Sequence, residues 1–195
     1  MENFQIIHYP HPTLRHRSKP LKKVDSELKE IVARMFELMY EARGIGLAAN
    51  QVNLPLQLFV INITGEKGSG EELVFINPVI SQPKGTDSAD EGCLSIPGVN
   101  AKVSRPAQVH VSGYDLSGNE IDLAASGLLA KAIQHEYDHL QGVLFIDRIS
   151  DGEKKQVAPE LEEFELEFQS QLVSGKQVSA EENMSQLKAW EDKFC

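Results

Sequence analysis

Gln134-His135-Glu136-Tyr137-Asp138-His139 sets two imidazoles one helical turn apart, with a carboxylate directly beside the first. On a helix of 3.6 residues per turn, positions i and i+4 share a face with their Cβ atoms roughly 5–6 Å apart, so both rings can reach one ion. Glu136 lies on the neighbouring edge of that face, where it can hydrogen-bond a water instead of coordinating, the mechanical logic of H-E-x-x-H. From Ser126 to Gly142 the chain reads as a single helix. Leu128, Ala132, His135, Glu136 and His139 fall in one stripe when each residue advances by about 100°, and Leu129, Ile133 and Leu140 form an apolar flank that anchors the helix in a core. Gly142 is the stop signal. His-x-x-x-His also arises by chance on exposed or core-lining helices; the intervening Glu136 favours the metal reading.

An open catalytic metal site typically has three protein ligands and one exchangeable position. No histidine follows His139, so a metalloprotease-type site would have to recruit a downstream acid such as Asp147, Glu160 or Glu163. Upstream, Glu91-Gly92-Cys93-Leu94-Ser95-Ile96-Pro97-Gly98 offers a cysteine read as lying in a loop beside glycine. A lone cysteine is as readily a small buried hydrophobe.

The rest of the chain organises around that helix. Asp25 to Arg43 is an amphipathic helix with Leu28, Ile31, Val32, Met35, Phe36 and Met39 as its apolar stripe, Asp25 as N-cap and Gly44 as its end. In Gly44-Ile45-Gly46-Leu47-Ala48-Ala49-Asn50-Gln51, the small residues Gly46, Ala48 and Ala49 permit close backbone approach and suit a strand edge that could receive an extended peptide. A nucleotide loop is excluded there, because neither a third glycine nor Lys-Ser/Thr follows. Leu56–Ile63 and Glu72–Ile80 read as paired strands, and Lys102–Gly113 as one strand turning at 116–119 into Glu120–Leu123. These elements predict an α+β fold: a mostly antiparallel sheet around the His135/His139 helix, with an N-terminal helix and a C-terminal helical tail.

An apolar content of 41% over 195 residues supports a globular core. The formal charge of −10 is uneven: residues 151–195 hold 11 acids against 5 bases. We therefore divide the chain into a catalytic unit, 1–150, and an acidic helical extension, 151–195, that is partly flexible. In the extension Leu161, Phe164, Leu166 and Phe168 are expected to dock, and 171–182 to form a solvated linker. The acidic balance argues against direct nucleic-acid binding. Cysteines occur only at 93 and 195, which suggests a reducing compartment. Met1–His8 has no leader pattern and no stretch approaches the ~20 apolar residues of a membrane span, so a cytoplasmic protein is expected.

The chain resembles peptide deformylase in three separated blocks that occur in the family's order: 44–51, 91–95 and 134–139, within a resemblance covering roughly residues 5–150. It implies that Cys93, His135 and His139 are metal ligands and Glu136 the general acid/base, with Gln51 and the Leu94 N–H holding the developing oxyanion. The strand edge at Ile45 and Gly46 would receive the substrate main chain; because Leu128 and Ala132 precede the ligands on the same helical face and Ile45 lies in the edge block, these three are expected to line a pocket for a methionine side chain. It also implies one divalent ion, Fe²⁺ foremost with Zn²⁺, Ni²⁺ or Co²⁺ also accommodated, and N-formylmethionyl nascent peptides as substrates, met at the ribosome surface. The competing reading is an H-E-x-x-H endopeptidase with an acidic third ligand.

Overall fold

The computed structural model describes residues 4–195; Met1, Glu2 and Asn3, which begin the stretch read for a leader, lie outside the described residues. Helix α1 (Ser26–Glu41) starts where expected, because the Asp25 carboxylate accepts the Leu28 N–H at 3.0 Å. It buries the face carrying Leu28, Ile31, Val32, Met35, Phe36, Leu38 and Met39. The chain leaves it through Arg43, held at φ 58°, with the Gly44 N–H closing on the Met39 carbonyl at 2.8 Å.

Seven strands follow: β1 (Gly46–Ala48), β2 (Leu58–Ile61), β3 (Leu73–Lys84), β4 (Asp87–Cys93), β5 (Ile96–Arg105), β6 (Gln108–Tyr114) and β7 (Glu120–Ser126). Five form an antiparallel sheet in the order β1-β2-β3-β6-β7, while β4 and β5 pair only with each other. Two readings are corrected here. The expected single strand Lys102–Gly113 is two, β5 and β6, because Pro106 cannot supply a ladder N–H. Cys93 is not in a loop but is the last residue of β4. Asp-Ser-Ala-Asp-Glu-Gly-Cys is poor in β-formers, so this strand owes its existence to its pairing with β5 rather than to local preference.

Helix α2 (Gly127–Leu140) packs on the sheet with Ala130, Ala132, Ile133 and Leu140 in a core shared with Phe59, Phe75, Val109 and Val111. A second core lies between α1 and β2, and a third under β5. This arrangement is the α+β fold that the strand and helix pattern predicts.

Two further helices complete the chain. Helix α3 (Asp151–Val173) opens on a reciprocal cap, in which Ser150 Oγ accepts the Glu153 N–H and Glu153 Oε2 accepts the Ser150 N–H. Leu161 and Phe164 pack against the core under β5, and the Phe168 ring meets His11 edge-on at 6.0 Å. Leu166 departs from expectation: it is 71% exposed. The link to helix α4 (Ala180–Phe194) is shorter than 171–182, and α4 buries Leu187 and Phe194. Its half-buried Trp190 stacks on Phe194 at 5.9 Å.

Glu191 ties α4 to the N-terminal segment through Lys19 Nζ at 2.6 Å and His16 Nε2 at 2.9 Å. Burial would raise its pKa, but these two partners outweigh it and hold the carboxyl below its ordinary value. A depressed folded pKa means stabilisation that is complete above the unfolded value of about 4.3 and is lost as pH falls through the folded one. Fluorescence of Trp190, the chain's single tryptophan, should therefore report α4 loosening on acidification below about pH 4. Glu191→Gln should flatten that transition; an unchanged profile would exclude Glu191 as its source.

Candidate active site

The site is assembled from three elements. Strand β4 delivers Cys93 at its end, α2 delivers His135, Glu136 and His139, and a 3₁₀ turn at Ala49–Val52 delivers Asn50 and Gln51. Ligand atoms of Cys93, His135 and His139 all lie within 4.8 Å of one another, the one such grouping of three among the described residues. Cys93 Sγ is 3.2 Å from His139 Nε2. A sulfur and a nitrogen bound to one ion at about 2.3 and 2.0 Å stand no more than about 4.3 Å apart, a condition that the Cys93–His139 pair meets. Asp147 is engaged instead with Arg15 and with the Leu144 N–H, which disposes of the first acidic alternative.

His135 is held from behind through its ring, and His139 is tied through its backbone. His135 Nδ1 meets Glu91 Oε2 at 3.1 Å, which leaves its Nε2 to face the cluster. Glu91 is gripped by both arms of the Arg105 guanidinium, at 2.5 and 2.8 Å, and the third Arg105 nitrogen donates to Asp138 Oδ2 at 2.7 Å. Asp138 also takes two bonds from Arg148. Asn50 Nδ2 donates to the His139 carbonyl. Burial alone would raise the Glu91 pKa, yet His135 and Arg105 pull it down to about 2, so it stands as a fixed carboxylate behind the imidazole.

Gln51 is oriented at both ends of its amide. Its Oε1 accepts the Ala48 N–H at 2.8 Å, and its Nε2 points to Ser95 Oγ at 3.1 Å and Cys93 Sγ at 3.4 Å. Glu136 is 4% exposed, and burial, helped by the charge of Glu91, raises its pKa to about 7 against the pull of His135 and Arg105. A carboxyl tuned there can both take and give a proton near neutral pH. Among the described residues, Glu136 Oε2 and His139 Nδ1 are buried without a protein hydrogen-bond partner. His139 faces the cluster through Nε2, so it is the orphaned Glu136 oxygen beside a Cys/His₂ donor set that fits a site completed by an ion and water.

A cleft of roughly 750 Å³ opens onto this cluster. Ile45, Gly46, Leu128 and Ala132 line it, as do Gln51, Cys93, Leu94, His135 and Glu136; His139 sits behind the wall, 1% exposed. Leu128 is not inward-facing, as its helical phase suggested, but half-exposed at the rim. The requirement for glycine at 46 is steric: a Cβ there would come within 2.5 Å of Glu136 Oε1. Gly46→Ala should thus displace the carboxylate and lower kcat by about 10²-fold, since about 1 Å of misplacement costs that much. Wild-type turnover in this variant would show that Glu136 has room to spare.

Glu91, Ser95, Asn50, Arg105 and Asp138 escape the sequence reading. Glu91 lies two residues before Cys93, but the register breaks between Gly92 and Cys93, so strand alternation alone does not place the two together. Arg105 carries no signal, because only the β4–β5 pairing and the approach of α2 bring it there.

Half-buried Cys93 and His135, buried His139, a neighbouring buried carboxylate and an open cleft form a donor set and proton carrier of the kind hydrolases use. Residues 3–155 match the polypeptide deformylase family. A peptide deformylase of Rhodopirellula baltica is 48% identical over 187 residues, covering 95% of this chain and 92% of that one. The chloroplastic/mitochondrial peptide deformylase 1B of Arabidopsis thaliana is 43% identical over 181 residues, covering 90% and 66%. Among solved structures, a plant peptide deformylase superposes with a TM-score of 0.85 at 42% identity, covering 88% of this chain and 94% of that one. The Plasmodium falciparum peptide deformylase gives 0.82 at 42%, covering 85% and 98%. The chain belongs to the peptide deformylase family, a family of enzymes.

Proposed function

We propose that this chain hydrolyses the terminal formamide of N-formylmethionyl nascent peptides, releasing formate and a free amino terminus. The observation that carries the reading is the grouping of Cys93, His135 and His139 with buried Glu136 beside a cleft of roughly 750 Å³. One divalent ion on those three ligands would supply Lewis acidity, polarising a carbonyl and lowering the pKa of a water. Glu136 accepts a proton as the water oxygen bonds to the formyl carbon. The formyl oxygen gains charge, and Gln51 Nε2 and the Leu94 N–H donate to it. Glu136 then passes its proton to the departing nitrogen as the C–N bond breaks, so that formate and amine leave in balance.

Ile45 and Gly46 take the substrate main chain at the β1 edge, while Leu128, Ala132 and the Ile45 side chain receive the methionine side chain. A thiolate with two imidazoles accommodates Fe²⁺, Zn²⁺, Ni²⁺ or Co²⁺; we assign Fe²⁺ on the family resemblance, with metal analysis of anaerobically purified protein as the check. Residues 1–150 form the catalytic unit and 151–195 the extension. The setting we assign is cytoplasmic, with substrate met at the ribosome surface by protein contacts and with no nucleic acid or membrane as direct partner; among the described residues no helix is long and apolar enough to cross a membrane. An endopeptidase with an acidic third ligand is disfavoured by the engagement of Asp147 with Arg15.

The test compares formyl-Met-Ala with acetyl-Met-Ala. The added methyl enters where Gln51, Leu94 and the ligands converge, so kcat/KM on the acetyl peptide should fall by at least about 10²-fold. Cys93→Ala should lose bound ion together with activity. Comparable rates on both peptides, or cleavage of internal bonds in unformylated peptides, would overturn the reading.

A further inference from the structure

Helix α4 lies on the N-terminal 3₁₀ turn Pro12–Arg15, which lies in turn on the turn Ala49–Val52 that carries Gln51. A line of side chains, buried at Asn183 and Thr13 and half-buried at Asn53, joins them. Asn183, 2% exposed, donates from Nδ2 to Thr13 Oγ1 at 3.1 Å, and Thr13, 0% exposed, donates its single hydroxyl proton to Asn53 Oδ1 at 2.5 Å. The three groups are matched as donor, relay and acceptor with one proton per link. Asn53 is the C-cap of the Gln51 turn, held at φ 63° with its N–H on the Asn50 carbonyl at 3.2 Å; the next N–H, of Leu54, closes on the Ala49 carbonyl at 3.0 Å. Within that turn, Gln51 reaches Ser95 and Cys93, and Asn50 reaches the His139 carbonyl.

We propose that α4 is a brace for the active site, with Asn183 a positioning residue that acts through Thr13 and Asn53 to fix the Gln51 carboxamide. The proposal rests on the deformylase reading for its kinetic arm. Its physical ground is that Asn53 caps the Gln51 turn in the left-handed conformation, which asparagine tolerates there, and the Thr13 hydroxyl fixes the Asn53 side chain and so ties that cap to α4. A turn released from it would shift Gln51 Nε2 with no loss of ligand residues.

Thr13→Val removes the relay hydroxyl at constant shape, Thr13→Ser keeps it, and Asn183→Ala removes the anchor. On formyl-Met-Ala, the Val and Ala variants should lower kcat by about 10-fold, while KM moves less than about twofold. Thr13→Ser should retain kcat. Hydrogen exchange at the Asn53 and Leu54 amides should accelerate in the two defective variants, with the β3 and β6 amides unchanged. In a Gln51→Ala background, Thr13→Val should lower kcat no further, because the group being positioned is gone. Unchanged kcat, a fully additive loss in the Gln51→Ala background, or exchange rising equally across the sheet would overturn the brace. Should Asn183→Ala fail to fold, the Val/Ser pair at Thr13 decides alone. Absence of deformylation by the unaltered chain would instead overturn the deformylase reading, and the exchange measurement would still test the brace.

Discussion

Glu136→Gln is expected to lower kcat on formyl-Met-Ala by at least about 10³-fold with bound metal retained, within the range that a positioned general acid/base supplies. The amide keeps the shape of the carboxylate, so the tight packing against Gly46 survives and the ligands on either side need not move. What is lost is the capacity to accept and return a proton. Because Glu136 is not among the three grouped ligands, metal content measured alongside turnover separates its role from theirs. Cys93→Ala should show the opposite pattern, with metal and activity falling together. Turnover of Glu136→Gln within tenfold of the parent would remove this residue from proton transfer.

Much of this site is legible in the sequence because its strongest signal is local. Two histidines four residues apart share a face on a helix, and α2 runs where the apolar stripe places it. Helix α1 was likewise readable through its stripe and its Asp25 cap. What escaped was what partners decide. Strand β4 is a run of small and acidic residues that becomes a strand only by pairing with β5, so Cys93 read as a loop residue. The tail is legible only in part: α4 has few large apolar residues, yet it places Leu187 and Phe194, both 1% exposed, against the domain. Amphipathic phase tells which residues share a face, not which face finds a partner, and exposed Leu166 is the counterexample on α3.

The largest stability effect should come from Arg105, which no motif marks. Its guanidinium is 3% exposed and joins two carboxylates, half-buried Glu91 on β4 and buried Asp138 on α2, so it ties the strand that carries Cys93 to the helix that carries the histidines. Arg105→Met preserves bulk but leaves Glu91 without its bidentate partner, and removing one member of a buried pair costs roughly 3–5 kcal/mol. At roughly 2–4 °C per kcal/mol for a domain of this size, Tm should fall by about 10 °C. Arg105→Lys should recover only part of the loss, since one ammonium cannot serve both oxygens of Glu91 and Asp138 together. Metal affinity should weaken by about 10- to 100-fold as well, because Glu91 orients His135 through Nδ1 and Arg105 orients Glu91. Arg148→Met supplies the comparison. It bonds the same Asp138 but is 43% exposed and does not touch Glu91, so its loss should cost less and leave metal affinity nearly intact. If Arg105→Met melted like the parent, or if Arg148→Met weakened metal binding as much, the tie between strand and helix would not run through Arg105.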